Sequence, residues 1–281
     1  MLQSVLARRQ ARSGRHPAMS LKEGRSAVLP PPALFLLSIQ GEGGLWIGRQ
    51  HTEEATTFMM RRALAVLALA LPVLMPSPGF AQNLDLHLGG YFPSANSNLF
   101  GYDESVYTVS KSDFNGVIGG FQFSQRIARN VEIGLSADVY DKHLYSSYQS
   151  FTNPDGSNIN QTLHLQEVPV GVTIRLIPTN RRARIAPFIG VGADLIFWKY
   201  EEYGNFVDPN TLNISPDSFQ STGVTPGVHV EGGVRIPLSY DVSLVATGKY
   251  LWAKADMGDD FVGNRIDLGG ASATIGINFH F

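Results

Sequence analysis

From Leu84 to Phe281 apolar and polar residues alternate with a period of two, in runs separated by polar or proline-containing breaks. Successive side chains of a strand point to opposite faces, so each run predicts a strand with one oily and one polar face. Eight strands are expected, over residues 84–92, 114–125, 131–144, about 162–177, 184–200, about 224–236, 241–252 and the stretch 265–281. The last is the most regular: Ala271, Ala273, Ile275, Ile277, Phe279 and Phe281 alternate with Ser272, Thr274, Gly276, Asn278 and His280.

The connections alternate as well. Residues 126–130, 178–181 and 237–240 form tight turns, whereas 93–112, 145–161, 201–222 and 255–264 are long polar stretches. Asn153-Pro154-Asp155-Gly156 marks a turn inside the second long one. Long and short connections in strict alternation predict an all-β, eight-stranded antiparallel up-and-down transmembrane β-barrel, with both chain ends on the short-turn side. A closed ring also leaves no strand edge unpaired in lipid.

The orientation of the faces is the first question this raises. Ile189, Val191, Ala193, Leu195 and Phe197 alternate with Gly190, Gly192 and Asp194; Val228, Val230 and Val234 alternate with His229, Glu231 and Arg235. A soluble lipocalin-like barrel would turn these apolar faces inward, and a sandwich would bury them between sheets. A polar face that mixes glycine, serine and both charge signs suits a small packed lumen, which favours lipid outside. Tyr200, Tyr250, Trp252, Phe279 and Phe281 fall near strand ends, where aromatic girdles sit. Pro187 and Pro226 interrupt apolar runs and suggest bulges or rims.

Composition agrees. Charged residues make up 16% of the 281-residue chain, against about 25% in soluble domains. There is no cysteine, which excludes disulfides, thiolate metal sites and thiol nucleophiles. Residues 82–281 carry 13 Lys or Arg and 20 Asp or Glu, so they lack the basic footprint of a nucleic-acid binder.

Upstream, residues 59–81 read as a secretory signal: a basic Arg61-Arg62 head, a short apolar core, then Pro72, Pro76 and Gly79-Phe80-Ala81. The 58 residues before it are an unusual prelude to a signal. They are expected to be a non-native or disordered extension, with translation starting at Met59 or Met60. The barrel is expected over 82–281.

The signal, the eight strands, the alternating connections and the terminal ATIGINFHF resemble the small Gram-negative outer-membrane barrel superfamily that holds the OmpW-like, OmpX-like and OmpA N-terminal barrels. The resemblance covers 82–281 and implies the cell outer membrane. It implies that Ile275, Ile277, Phe279 and Phe281 are read by the barrel-assembly machinery. Outer-membrane lipids and lipopolysaccharide are the implied surroundings, and a monomer is expected. Barrels of this size include channels, structural proteins, adhesins and enzymes. A narrow channel for small or apolar solutes is the first functional expectation, a structural or surface-binding adhesin-like barrel the alternative, and a lipid A-modifying enzyme a distant third.

The chemistry expected inside is a charge network. Glu132, Glu167, Arg175, Arg184, Asp194, Glu231, Arg235 and Lys249 share the polar parity, joined by Asp138, Lys142, His87, His229 and His280. An eight-stranded lumen is just filled by side chains, and buried charges require partners. Glu132, Glu167 and Glu231 are therefore expected to pair with Arg175, Arg235 and Lys249. For an enzyme, His143, His164, Ser146, Ser147, Asp138 and Asp141 allow a Ser-His-Asp set, although spacing alone identifies none. Asp256, Asp259 and Asp260 lack the ordered spacing of a calcium loop. No catalytic residue, cofactor or metal ligand is assigned.

Overall fold

The computed structural model describes residues 82–178, 184–208, 211–257, 261 and 264–281. The expected signal segment and the extension before it lie outside the described residues. The strands are β1 (Gln82–Pro93), β2 (Gly116–Ala128), β3 (Val131–Thr152), β4 (Asn158–Leu176), β5 (Ala186–Val207), β6 (Ile214–Pro237), β7 (Val242–Asp256), β8 (Arg265–Asp267) and β9 (Gly270–His280). A helix α1 (Asn98–Val106) and a 3₁₀ turn (Lys111–Phe114) lie between β1 and β2.

Eight of the strands close into a ring. Each of β1 to β7 pairs antiparallel with the next, β7 pairs with β9, and β9 returns to β1. The closing seam runs from Asn83 opposite His280 to Pro93 opposite Gly270. Leu268 and Gly269 split the last predicted strand, leaving β8 as a short flap on β7.

The ring fixes which face is which. Along its lower half Leu88, Val117, Ile189, Val191, Val228 and Ile275 point outward and are exposed. Their inward neighbours Asp85, Gln122, Glu132, Asp194, Glu231 and Asn278 are buried. Leu135, Val168, Val170 and Phe197 share the outward parity but are buried together; an outward-facing apolar belt around a polar interior is still the inverse of a soluble barrel. It is what a lipid exterior requires.

Above the belt the arrangement reverses. β3, β4, β5 and β6 have 22, 19, 22 and 24 residues, about twice the ~9–11 residues that cross a bilayer. The stretches 145–161 and 201–222, expected as polar loops, are therefore mostly strand: β3 runs to Thr152 and β4 starts at Asn158, while β5 runs to Val207 and β6 starts at Ile214. In this projecting part the inward positions are apolar: Leu144, Leu163, Leu165, Ile196, Trp198 and Tyr200 are all buried. The outward positions on the same strands become polar: Asp141 and His143 are exposed, while Gln166, Lys199 and Glu201 share the outward parity but are buried. Once water replaces lipid outside, the oily residues move to the interior. Tyr200 belongs to that interior, with no exposed surface, and is not part of an outer girdle. Tyr250 and Trp252 do face outward, with ring centroids 4.6 Å apart.

The first long connection is not a simple polar loop. Helix α1 buries Leu99, Phe100, Tyr102, Asp103 and Val106 against the barrel mouth. Phe100 meets Phe114 edge-on at 4.9 Å and lies 6.5 Å from Tyr200. The Tyr200 hydroxyl donates to Asp103 at 2.7 Å.

The belt's upper edge can be tested. Val191→Arg, at mid-height of the apolar run on β5, is expected to lower unfolding free energy in phospholipid vesicles by about 2–4 kcal/mol. Tyr145→Arg, outward but above the belt, is expected to change it by no more than about 0.5 kcal/mol.

Candidate functional site

Three features distinguish this barrel from a plain wall of strands: a charged lumen, a plugged mouth, and a polar patch on the exterior just above the belt.

In the lumen, Arg175 is the hub. Its guanidinium donates to Glu231, to Asp85 at 3.3 Å and to Gln122, and its Cζ lies 4.6 Å from the Phe188 ring centroid. Glu132 receives Arg126 at 2.9 Å and both terminal nitrogens of Arg235 at 3.3 Å. Asp138 receives His87 at 2.6 Å and Lys249 at 3.2 Å, and Lys249 also lies 3.8 Å from Asp194. His229 donates to Asp194 through Nδ1, and its Nε2 lies 3.0 Å from the Thr173 hydroxyl. Glycine makes room for this crowd. A Cβ on Gly171 would collide with the Asp194 carboxylate, and one on Gly192 with the His229 ring.

Two expected members stand elsewhere. Glu167 is buried, but its partner is the Tyr91 hydroxyl at 3.3 Å; Lys249 is engaged by the two aspartates instead. Arg184 is exposed in the bend before β5 begins at Ala186. Inward parity has no meaning outside the strand, so Arg184 is not a lumen charge. Arg126, Gln122 and Asp85 join the network without having been expected in it. Asp85 and Gln122 carry the same inward parity as their neighbours, which was the available signal.

Little space remains. The lumen keeps a cavity of ≈ 30 Å³ bounded by His87, Gln122, Ser136, Arg175, Glu231 and Lys249. Another of ≈ 20 Å³ lies between Tyr91, Tyr140, Glu167 and Leu251. Voids of that size hold single waters. Above them stand Trp198, Tyr200, Leu163, Leu165 and the buried face of α1. Leu99, Phe100, Tyr102 and Val106 were the legible signal for this plug, spaced as one side of a helix.

The exterior patch is built by register. His143 on β3 faces His164 on β4, which faces Glu201 on β5; one row below, Asp141, Gln166 and Lys199 line up in the same way. The imidazoles stack with centroids 3.8 Å apart and planes 11° from parallel. His164 Nε2 lies 3.2 Å from Asp141 Oδ1, His143 Nε2 lies 3.4 Å from the same oxygen, and Gln166 donates to Asp141 Oδ2 at 3.0 Å. Lys199 Nζ is 2.8 Å from Glu201 Oε2. The hydrogen bond from His164 holds the Asp141 carboxyl below its ordinary pKa. Burial opposes charge on His164, but the carboxylates of Asp141 and Glu201 outweigh it and raise its pKa. Desolvation, reinforced by the adjacent His164, lowers that of His143.

Among the described residues no serine completes a triad here. Ser147 and Ser146 lie beside the Thr108 hydroxyl at 3.2 and 3.5 Å, and Asp138 points into the lumen. Asp256 pairs with Arg265 at 3.1 Å, while Asp259 and Asp260 lie outside the described residues. Higher on the same exterior, Tyr145, Asn160, Thr162 and Tyr203, with Thr108 and Gln161, border an open groove of ≈ 500 Å³.

The lumen network has a measurable weight. Glu231→Gln leaves Arg175 short of its nearest carboxylate, and is expected to cost about 3–5 kcal/mol in barrel unfolding. An unchanged unfolding curve would mean the lumen is solvated rather than plugged.

No known family profile matches the chain, and no curated protein matches it. Solved structures to which it is similar are outer-membrane barrels. A major outer membrane protein from Thermus thermophilus shows 11% identity over 71% of this chain and 99% of its own, with a TM-score of 0.42. Neisserial surface protein A shows 13% identity over 72% and 97%, with 0.39. The N-terminal barrel of Pseudomonas aeruginosa OprF shows 12% identity over 72% and 97%, with 0.35. At these TM-scores the likeness adds nothing to the strand pairing itself. The closed ring, the apolar outer belt and the charged, filled interior make this chain a small eight-stranded β-barrel of the outer-membrane type.

Proposed function

We propose that this barrel is a surface-binding protein with a closed lumen, rather than the narrow channel that its size class first suggests. The observation that carries this reading is the double seal. A salt-bridged lumen, whose cavities bounded by Arg175 and by Tyr91 are water-sized, lies beneath a mouth filled by aromatic residues and α1. A solute would have to displace both. The area freed for function is the projecting β3–β6 sheet, which is twice as tall as the bilayer demands.

The groove on that sheet suggests the ligand chemistry. Tyr145 is 88% exposed, and its neighbours offer the Tyr203 ring and phenol and the exposed Asn160 amide. Flat aromatic faces beside amide and hydroxyl groups suit a polyhydroxylated ligand, as on lipopolysaccharide or a foreign cell surface.

Reconstituted protein is expected to show no steady conductance in planar bilayers. It is expected to bind cell-surface oligosaccharide, and Tyr145→Ala with Tyr203→Ala to weaken that binding at least about tenfold while the barrel stays folded. Purified lipopolysaccharide and lipid-free glycans, tested separately, distinguish the two sources. Steady, solute-dependent conductance with no saccharide binding would overturn the proposal and restore the channel.

A further inference from the structure

We infer that Asp141, His143 and His164 form a binding site for a zinc-class divalent cation on the outer wall of the barrel, just above the membrane belt. The donor atoms are Asp141 Oδ1 and the Nε2 atoms of the two histidines, all within 4.8 Å of one another. A tetrahedral ion with bonds of about 2.0–2.1 Å places its ligand atoms about 3.3–3.4 Å apart. The carboxylate oxygen lies 3.2 Å from one imidazole nitrogen and 3.4 Å from the other. The two rings are stacked almost parallel, so a modest opening of the stack turns both lone pairs toward one point beside Asp141.

The groups behind the ligands are those a metal site requires. A ligating histidine generally presents its other nitrogen to a carboxylate, and a ligating carboxylate is itself held by a hydrogen bond. Glu201 Oε2 lies 3.8 Å from His164 Nδ1, on the far side of the ring from Asp141. Lys199 neutralises Glu201 at 2.8 Å, which makes it an orienting group and leaves the anionic ligand role to Asp141. Gln166 occupies Asp141 Oδ2 at 3.0 Å and leaves Oδ1 for the ion. Register explains the assembly: each member stands directly across from its neighbour on β3, β4 or β5.

Chemistry and placement select the ion. Two imidazoles and one carboxylate favour zinc or a neighbouring d-block divalent ion, and not calcium or magnesium, which take oxygen ligands. The side chains of Asp141 and His143 are 40% and 45% exposed while that of His164 is 3% exposed. Water therefore reaches one side of the site and can fill the remaining coordination position. The patch begins one row above the exposed Val139, where the outward positions of β3 change from apolar to polar.

The test uses the full-length chain without an affinity tag, extracted in detergent from the membranes of a Gram-negative host. Titration calorimetry with zinc chloride in a non-chelating buffer near neutral pH is expected to give one ion per chain, with calcium and magnesium showing no binding. His143→Gln and Asp141→Asn are expected to weaken binding at least about tenfold, and Glu201→Gln by about 10–100-fold through loss of orientation. His280→Gln, at the opposite end of the barrel, serves as the control and should leave binding unchanged. X-ray absorption of the zinc-loaded protein should show imidazole scattering from two histidines. His143 is half exposed, so its replacement is tolerated by the fold, and a heat-dependent gel shift verifies that each variant is folded. Absent stoichiometric zinc binding, binding unaffected by His143→Gln, or equal binding of calcium would each overturn the assignment.

Discussion

Hydrocarbon offers no partner to an unpaired backbone amide, so everything in this molecule depends on the seam at which β9 closes onto β1. Across it, consecutive residues from Asn83 to Pro93 find partners between His280 and Gly270. An open edge in lipid would cost several kcal/mol for each unsatisfied group. Closure also decides the rest. With eight strands the interior is just wide enough for side chains, and those that enter must satisfy one another. The glycines at Gly171 and Gly192, the Arg175 hub and the Asp194–His229–Thr173 chain answer that crowding. Asn278, at the seam itself, donates to Asp85, so the closing strand is tied into the charged lumen.

The second organising feature is the change of solvent part-way up the wall. Below it, lipid draws valine and isoleucine outward and leaves charge inside. Above it, water draws Asp141, His143 and Tyr145 outward and leaves Trp198, Tyr200 and Leu165 inside. A single strand thus runs through two environments with opposite rules. The upper part resembles a soluble core set on a membrane barrel, and α1 completes it as a lid of Leu99, Phe100 and Val106. Both proposed roles, saccharide recognition and metal binding, sit on the water-facing wall that this inversion creates.

Much of this was legible from residues alone. Period-two alternation located all eight ring strands, since a lipid-facing strand must alternate when its other face lines a polar lumen. The lumen members Glu132, Arg175, Asp194, Glu231, Arg235 and Lys249 followed from parity. Failures arose where one parity was carried too far. Arg184 falls in the lumen only if β5 is extended before its first residue, and Tyr200 falls in a girdle only if its shared parity with Trp198 is ignored. Polar outward residues made 145–161 and 201–222 look like loops, because their apolar partners had changed face. The patch around His143 was legible only in part: Asp141, His143 and His164 stood together as candidates for a Ser-His-Asp set, but their actual arrangement did not show. It exists only through cross-strand register, which sets His164 opposite His143 and Glu201 opposite His164, and no linear spacing records that.

The inversion is best tested by single-cysteine scanning along β3, which is clean because the chain has no cysteine of its own. Each variant, reconstituted in vesicles, would be offered a water-soluble maleimide, then labelled with a fluorophore and exposed to brominated lipid. The inverted wall predicts lipid quenching at residues 133 and 139, rapid aqueous labelling at 143 and 145, and protection from both at 140 and 144. Quenching that continues through 143 and 145, or free aqueous labelling at 140 and 144, would contradict it. The first result would extend the membrane belt to the top of the strand, and the second would mean an open, water-filled mouth.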